Sequence, residues 1–227
     1  MAENGSDSSE LRRYLSSINL KLGVHREMTV ISTIGKGRIE AFSDGVIAII
    51  ITIMVLELKV PHGTAFADLL PIVPVLLSYA LSFVYVGIYW NNHHHLFQAA
   101  RGVTGPIMWA NLHLLFWMSL IPFVTSWIGE TRDAVAPVAS YGIVLLMTAV
   151  AYQIIAAMLA RHDGQGSRLA RAIGQNRKGW LSIVFYALGV ILSLAWPDLG
   201  IAAYVAVALF WFIPDRRVER VLSEDAA

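Results

Sequence analysis

The segment from Ile39 to Leu58, IEAFSDGVIAIIITIMVLEL, limits this chain more than any other feature. Its centre is apolar, and about twenty helical residues at ~1.5 Å rise cross a hydrocarbon core of ~30 Å. Five further apolar stretches follow: Leu69–Asn92, Pro106–Ile128, Ala136–Ala160, Trp180–Ala195 and Leu199–Ile213. The last two are short, and only Trp196, Pro197 and Asp198 separate them. Proline removes a backbone donor and clashes with the preceding turn, so a tight helical hairpin is expected there. Tyr89, Trp90, Trp127, Trp180, Trp196 and Trp211 sit near span ends, as interfacial anchors do. The expected fold is an all-α membrane protein with six transmembrane helices.

Charge sets the orientation. Fifteen of the seventeen Lys and Arg residues fall before the first span, after the second and fourth, or after the sixth. Only Lys59 and Arg132 fall on the other side. The positive-inside rule then places both termini in the cytoplasm, which needs an even number of spans. The first residues lack the basic-then-apolar pattern of a signal peptide. The expected organisation is a cytoplasmic segment 1–35, a transmembrane domain 36–214 and a cytoplasmic tail 215–227, in the plasma membrane. Residues Leu11 to Leu22 are weakly amphipathic and read equally well as a surface helix or a tail.

Composition removes several functions. The chain of 227 residues is 56% hydrophobic and 15% charged, against roughly a quarter charged in a soluble domain. A net charge of +1 gives no field to steer a nucleic acid. With no cysteine, disulfides, thiol chemistry and cysteine metal sites are absent. No GxSxG, P-loop or dinucleotide fingerprint occurs, so no enzyme is expected, and no TVGYG potassium filter is present.

Ionisable groups inside spans need a reason. Asp44 lies about a turn inside the first helix, after Phe42 and Ser43. A buried carboxylate must be paired or hydrogen-bonded, and Arg38 and His93 are the candidate partners; a solvated place among headgroups is the alternative. At about 100° per residue, Ile49, Thr52, Ile53 and Leu56 form one stripe, and Asp44 lies about 140° round from Ile49. Spacing alone favours lipid contact or helix packing for such a stripe. The run His93, His94, His95 diverges by about 100° per step, so the three rings do not converge on one ion and no metal site is expected.

One motif goes further. Arg38, Phe42, Ser43 and Asp44, in the pattern Arg-x-x-x-Phe-Ser-Asp, resemble the start of the first helix in the endosomal and lysosomal transmembrane potassium channel family, in its prokaryotic branch. Trp90, His93, His94, Leu96 and Phe97 resemble that family's second helix, and Asn111 with Pro122 and Phe123 its third. The resemblance covers about residues 36–130. It implies six helices without a pore loop, a homotetramer, and a first helix that lines the pore. The family's constriction positions then fall on Ile49, Ile53 and Leu56, with Thr52 also on the path. Arg38, Phe42, Ser43, Asp44, Trp90, His93 and Asn111 would form a structural network. Potassium would be the permeant ion, with no cofactor and no partner beyond copies of the chain and the bilayer. The alternative is a secondary transporter or proton pathway using Asp44 and His93, although no inverted repeat is visible.

The charge count makes a direct prediction. In the cysteine-free chain, Gln165→Cys should react with a membrane-impermeant maleimide only after the cytoplasmic face is opened. Labelling in intact cells would reverse the topology.

Overall fold

The computed structural model describes residues 35–131, 134–164, 166–173 and 177–212. Among the described residues the chain is helical, with no strand. Helix α1 spans Lys36–Leu56. A 3-10 segment, Phe66–Ile72, leads into α2, Val73–Ala99, with Pro74 in its first turn, where a missing N–H costs nothing. Then come α3 (Gly105–Ser119), α4 (Ile121–Thr131), α5 (Val135–Asp163), the short α6 (Arg168–Ile173), α7 (Arg177–Ser193) and α8 (Pro197–Phe212).

Among the described residues, four segments are long and apolar enough to cross a bilayer: Lys36–Leu56, Phe66–Ala99, Gly105–Thr131 and Val135–Asp163. This is a multi-pass membrane protein. At 17 and 16 residues, α7 and α8 measure only about 25 Å each. They form a hairpin that turns at Leu194–Trp196, and Pro197 opens α8 at the position that tolerates proline. The third expected span, Pro106–Ile128, falls within Gly105–Thr131, with the single residue Leu120 dividing it into α3 and α4. Pro122 has no N–H for the Met118 carbonyl, and the chain shifts there before α4 resumes. The stretch Leu11–Leu22 and the tail 215–227 lie outside the described residues.

Helix α1 packs on α2, α3 and α4, while α5 packs on α3, α4, α7 and α8. The buried face of α1 is Ile39, Ser43, Ile47, Ile50 and Met54, one residue per turn. A seam of hydroxyls joins the other helices. Ser82 Oγ lies 2.6 Å from Thr125 Oγ1 and 2.9 Å from the Tyr141 hydroxyl. The Tyr85 hydroxyl donates to the Tyr204 carbonyl, the Tyr204 hydroxyl to the Val138 carbonyl at 3.3 Å, and Trp211 Nε1 to Ser182 Oγ at 2.9 Å. Polar groups at membrane depth need such partners, because the lipid offers none.

Tyr204 reaches its acceptor across Gly142 and Gly189, where an added Cβ would run into the ring or its hydroxyl. Helix propensity favours alanine over glycine by about 1 kcal/mol. Overpacking beside a hydrogen-bonded aromatic costs about 1–3 kcal/mol and should win. Gly142→Ala should therefore lower the melting temperature of the detergent-solubilised protein; a rise would mean that Tyr204 yields freely.

Candidate functional site

Two faces of α1 have opposite fates. Ile49 is 58% exposed, Ile53 42% and Leu56 78%, whereas Ile47 is 1% exposed and Ile50 3%. Thr52, Phe42 and Arg38 are exposed with the first group. A single helical step of about 100° accounts for the contrast between Ile49 and Ile50. The Thr52 hydroxyl donates to the Ile49 carbonyl at 2.9 Å, which leaves its lone pairs facing outward.

Near the start of α1, a buried chain of hydrogen bonds fixes this rotation. Asn111 Nδ2 donates to Ser43 Oγ at 2.8 Å, and Asn111 Oδ1 lies 2.8 Å from His93 Nε2. With its amide N–H committed to Ser43, Asn111 offers only its carbonyl to the ring. His93 Nε2 is therefore the donor, and its Nδ1, which has no partner, is the bare nitrogen. All three side chains are buried. The His93 ring also stacks on Phe97, with centroids 4.4 Å apart.

Asp44 takes neither partner expected from the sequence. Its Oδ1 accepts from Trp90 Nε1 at 3.0 Å, and both residues are at least partly exposed. Arg38 precedes Asp44 by six residues, about 240° round the helix, so the two do not share a face. His93 is engaged by Asn111. The remaining histidines diverge, with His94 stacked on Trp90. Among the described residues no three His, Cys, Asp or Glu side chains are placed to hold a metal.

Both ends of α1 are tied. Lys36 Nζ donates to the carbonyls of Gln98 at 3.3 Å and Ala100 at 3.2 Å, at the C-terminal end of α2. A cation is favoured at such an end. At the other end, Ser126 Oγ donates to Glu57 Oε2 at 3.0 Å, and Lys59 pairs with Glu130 at 2.6 Å. The hydrogen bond to Glu130 holds Lys59 above the ordinary lysine range. A groove of about 740 Å³ runs between α1 and the α3–α4 break, lined by Ile49, Ile53, Phe123, Trp127, Glu57 and Glu130 among others. Sequence reasoning did not find the groove or the Lys36 clasp, since both depend on the packing of α1 against later helices.

The network predicts an order of stabilities. Asn111→Ala strands a hydroxyl and an imidazole in an apolar interior, at about 1–3 kcal/mol each. Asp44→Ala removes one partly exposed hydrogen bond, at about 0.5–1.5 kcal/mol. Thermal unfolding in mild detergent should show the larger drop for Asn111→Ala; the reverse order would make Asp44 the main restraint.

Known proteins resemble this chain in sequence and fold. The profile of the endosomal/lysosomal potassium channel TMEM175 family matches residues 38–122. A potassium channel of Chryseobacterium sp. (strain P1-3) is 57% identical over 190 residues, covering 84% of this chain and 99% of that protein. A potassium channel of Streptomyces collinus is 31% identical over 191 residues, covering 77% of this chain and 90% of that protein. The crystal structure of a lysosomal potassium-selective channel TMEM175 homolog from Chamaesiphon minutus superposes with a TM-score of 0.69 at 28% identity, covering 78% of this chain and 96% of that one. With relatives this close over nearly their whole length, the chain belongs to the prokaryotic branch of the TMEM175 channel family.

Proposed function

We propose that this chain is a potassium-permeable, leak-type channel of modest selectivity, built from four copies around a pore lined by α1. Each copy would cross the plasma membrane six times, with α7 and α8 as the last hairpin and both termini in the cytoplasm. The exposed stripe of α1 carries the reading: Ile49, Thr52, Ile53 and Leu56 project away from the subunit's own core. A single α1 does not enclose a path, so a closed symmetric ring of copies is required. The relatives described as potassium channels support the choice of ion.

In such a ring four Ile49 side chains would meet at the axis. A narrow apolar ring excludes water and blocks ions by dewetting, and small helix movements would open it. Without carbonyl ligands, selectivity would rest on pore width, partial dehydration and the Thr52 hydroxyls. The transporter reading has less support, because Asp44 bonds to Trp90 and His93 to Asn111, so the proposed acid and base have different partners.

Ile49→Asn is the direct test. It would place four amides at the constriction and wet it, so basal potassium flux into proteoliposomes should rise and discrimination against sodium should fall. Ile50→Asn, on the buried face, should lower stability and leave permeation little changed. A larger permeation change from Ile50→Asn, at equal reconstitution, would put the wrong face of α1 at the axis.

A further inference from the structure

Another cavity, of about 20 Å³, lies inside the single copy where α2, α5, α7 and α8 meet. None of its lining residues belongs to α1, so it does not rest on the channel reading or on how copies assemble. Tyr85 and Tyr89 reach it from α2, Tyr152 and Ala149 from α5, and Tyr186 and Ser182 from α7. An organic ligand needs a pocket of roughly 300 Å³ or more. A water molecule needs only about 10–15 Å³, with two to four polar partners.

The hydrogen bonds around this cavity have a fixed direction. The Tyr204 carbonyl can only accept, so Tyr85 gives it its single proton. Tyr186 is the side-chain partner of both Tyr85 and Tyr89. It must donate to Tyr85, and then accept from Tyr89. The bonds therefore run one way, from Tyr89 through Tyr186 and Tyr85 to the Tyr204 carbonyl. On the facing wall, the Tyr152 hydroxyl donates to the Asn92 carbonyl at 3.2 Å, and Ser182 Oγ to the Lys178 carbonyl at 2.9 Å. With these protons committed, Tyr89 and Tyr152 present only lone pairs. Asn92 Nδ2 has one proton on the Ile88 carbonyl at 2.8 Å and a second to give. A guest that donates twice and accepts once suits these groups. A cation does not accept, and no lining carboxylate would offset its charge. We infer that the cavity binds one water molecule, which donates to Tyr89 and Tyr152 and accepts from Asn92. The water bridges α2 and α5 and heads the hydroxyl chain into α7 and α8. That chain ends on a backbone carbonyl, which passes no proton onward, so the water is a structural bridge.

A density map of the full chain in lipid nanodiscs tests the site, at a resolution that shows ordered water elsewhere in the protein. One isolated peak should lie within hydrogen-bonding distance of the Tyr89 and Tyr152 oxygens. Flat density there, or the continuous density of an acyl chain, would overturn the inference. Tyr89→Phe and Tyr152→Phe test the sharing of one water, since each keeps its ring and removes one partner. Each should lower the melting temperature in mild detergent. The double variant should lose less than the sum of the two single losses, because the first change already frees the water. Additive losses would mean that no water joins the two hydroxyls. If Tyr89→Phe does not fold, the map of Tyr152→Phe decides. The peak should be lost there, and an unchanged peak would overturn the bridge.

Discussion

The hydrogen-bonded chain through Ser43, Asn111 and His93 sets the rotation of α1, and the division of that helix into two faces follows from it. Apolar packing alone would do this poorly in a membrane. Lipid tails are as apolar as isoleucine, so burying Ile47 or Ile49 against the subunit has nearly the same hydrophobic value. A buried hydroxyl and amide are different, because turning α1 by one residue would part Ser43 from Asn111 and leave both groups without that partner in the interior. With Ser43 pinned on the core side, Ile47, Ile50 and Met54 follow it inward by helical geometry, and Ile49, Ile53 and Leu56 are forced out.

The ends of α1 add restraints of another kind. Lys36 closes the C-terminal carbonyls of α2 on one side, and Glu57 meets α4 through Ser126 on the other. These contacts are exposed or only part-buried, so each contributes little to stability and is easily exchanged with water. Firm polar pinning at Ser43 and looser ties at the two ends would let α1 tilt or bend about its N-terminal third. After Leu120, α4 lies against the C-terminal half of α1, where Ile53 and Glu57 are.

Much of this was legible in the sequence. The apolar runs gave the long helices, Pro197 gave the hairpin, and the step of about 100° per residue put Ile49, Thr52, Ile53 and Leu56 on one stripe before any packing was known. The family resemblance added Asn111 to the network. The parts that were not legible depend on contacts between helices. Asp44 looked like a partner for Arg38 or His93 because charge suggested it, but side-chain direction gives it to Trp90. The one-residue interruption at Leu120, inside a span that was expected, was not read either. Pro122 was in view, yet a proline within a long apolar run is compatible with a mild kink or a full interruption, and packing decides between them. The groove needs α4 in place and has no local signature at all.

Thr52 sets a limit on what the proposed pore can discriminate. Its hydroxyl proton is committed to the Ile49 carbonyl, so toward the axis it offers lone pairs only. That makes it an acceptor, suited to a cation and unsuited to an anion. Four such oxygens in a ring would replace a small part of a hydration shell, whereas a filter of stacked carbonyls replaces most of it. The remaining water stays on the ion, and hydrated potassium and sodium differ far less than the bare ions do. Discrimination must then come from how much water the apolar ring at Ile49 strips away as the ion passes. Potassium, which holds its water more loosely, gives it up at lower cost. The width of the Ile49 ring would therefore set both the conductance and the selectivity, and widening it should raise one as it lowers the other.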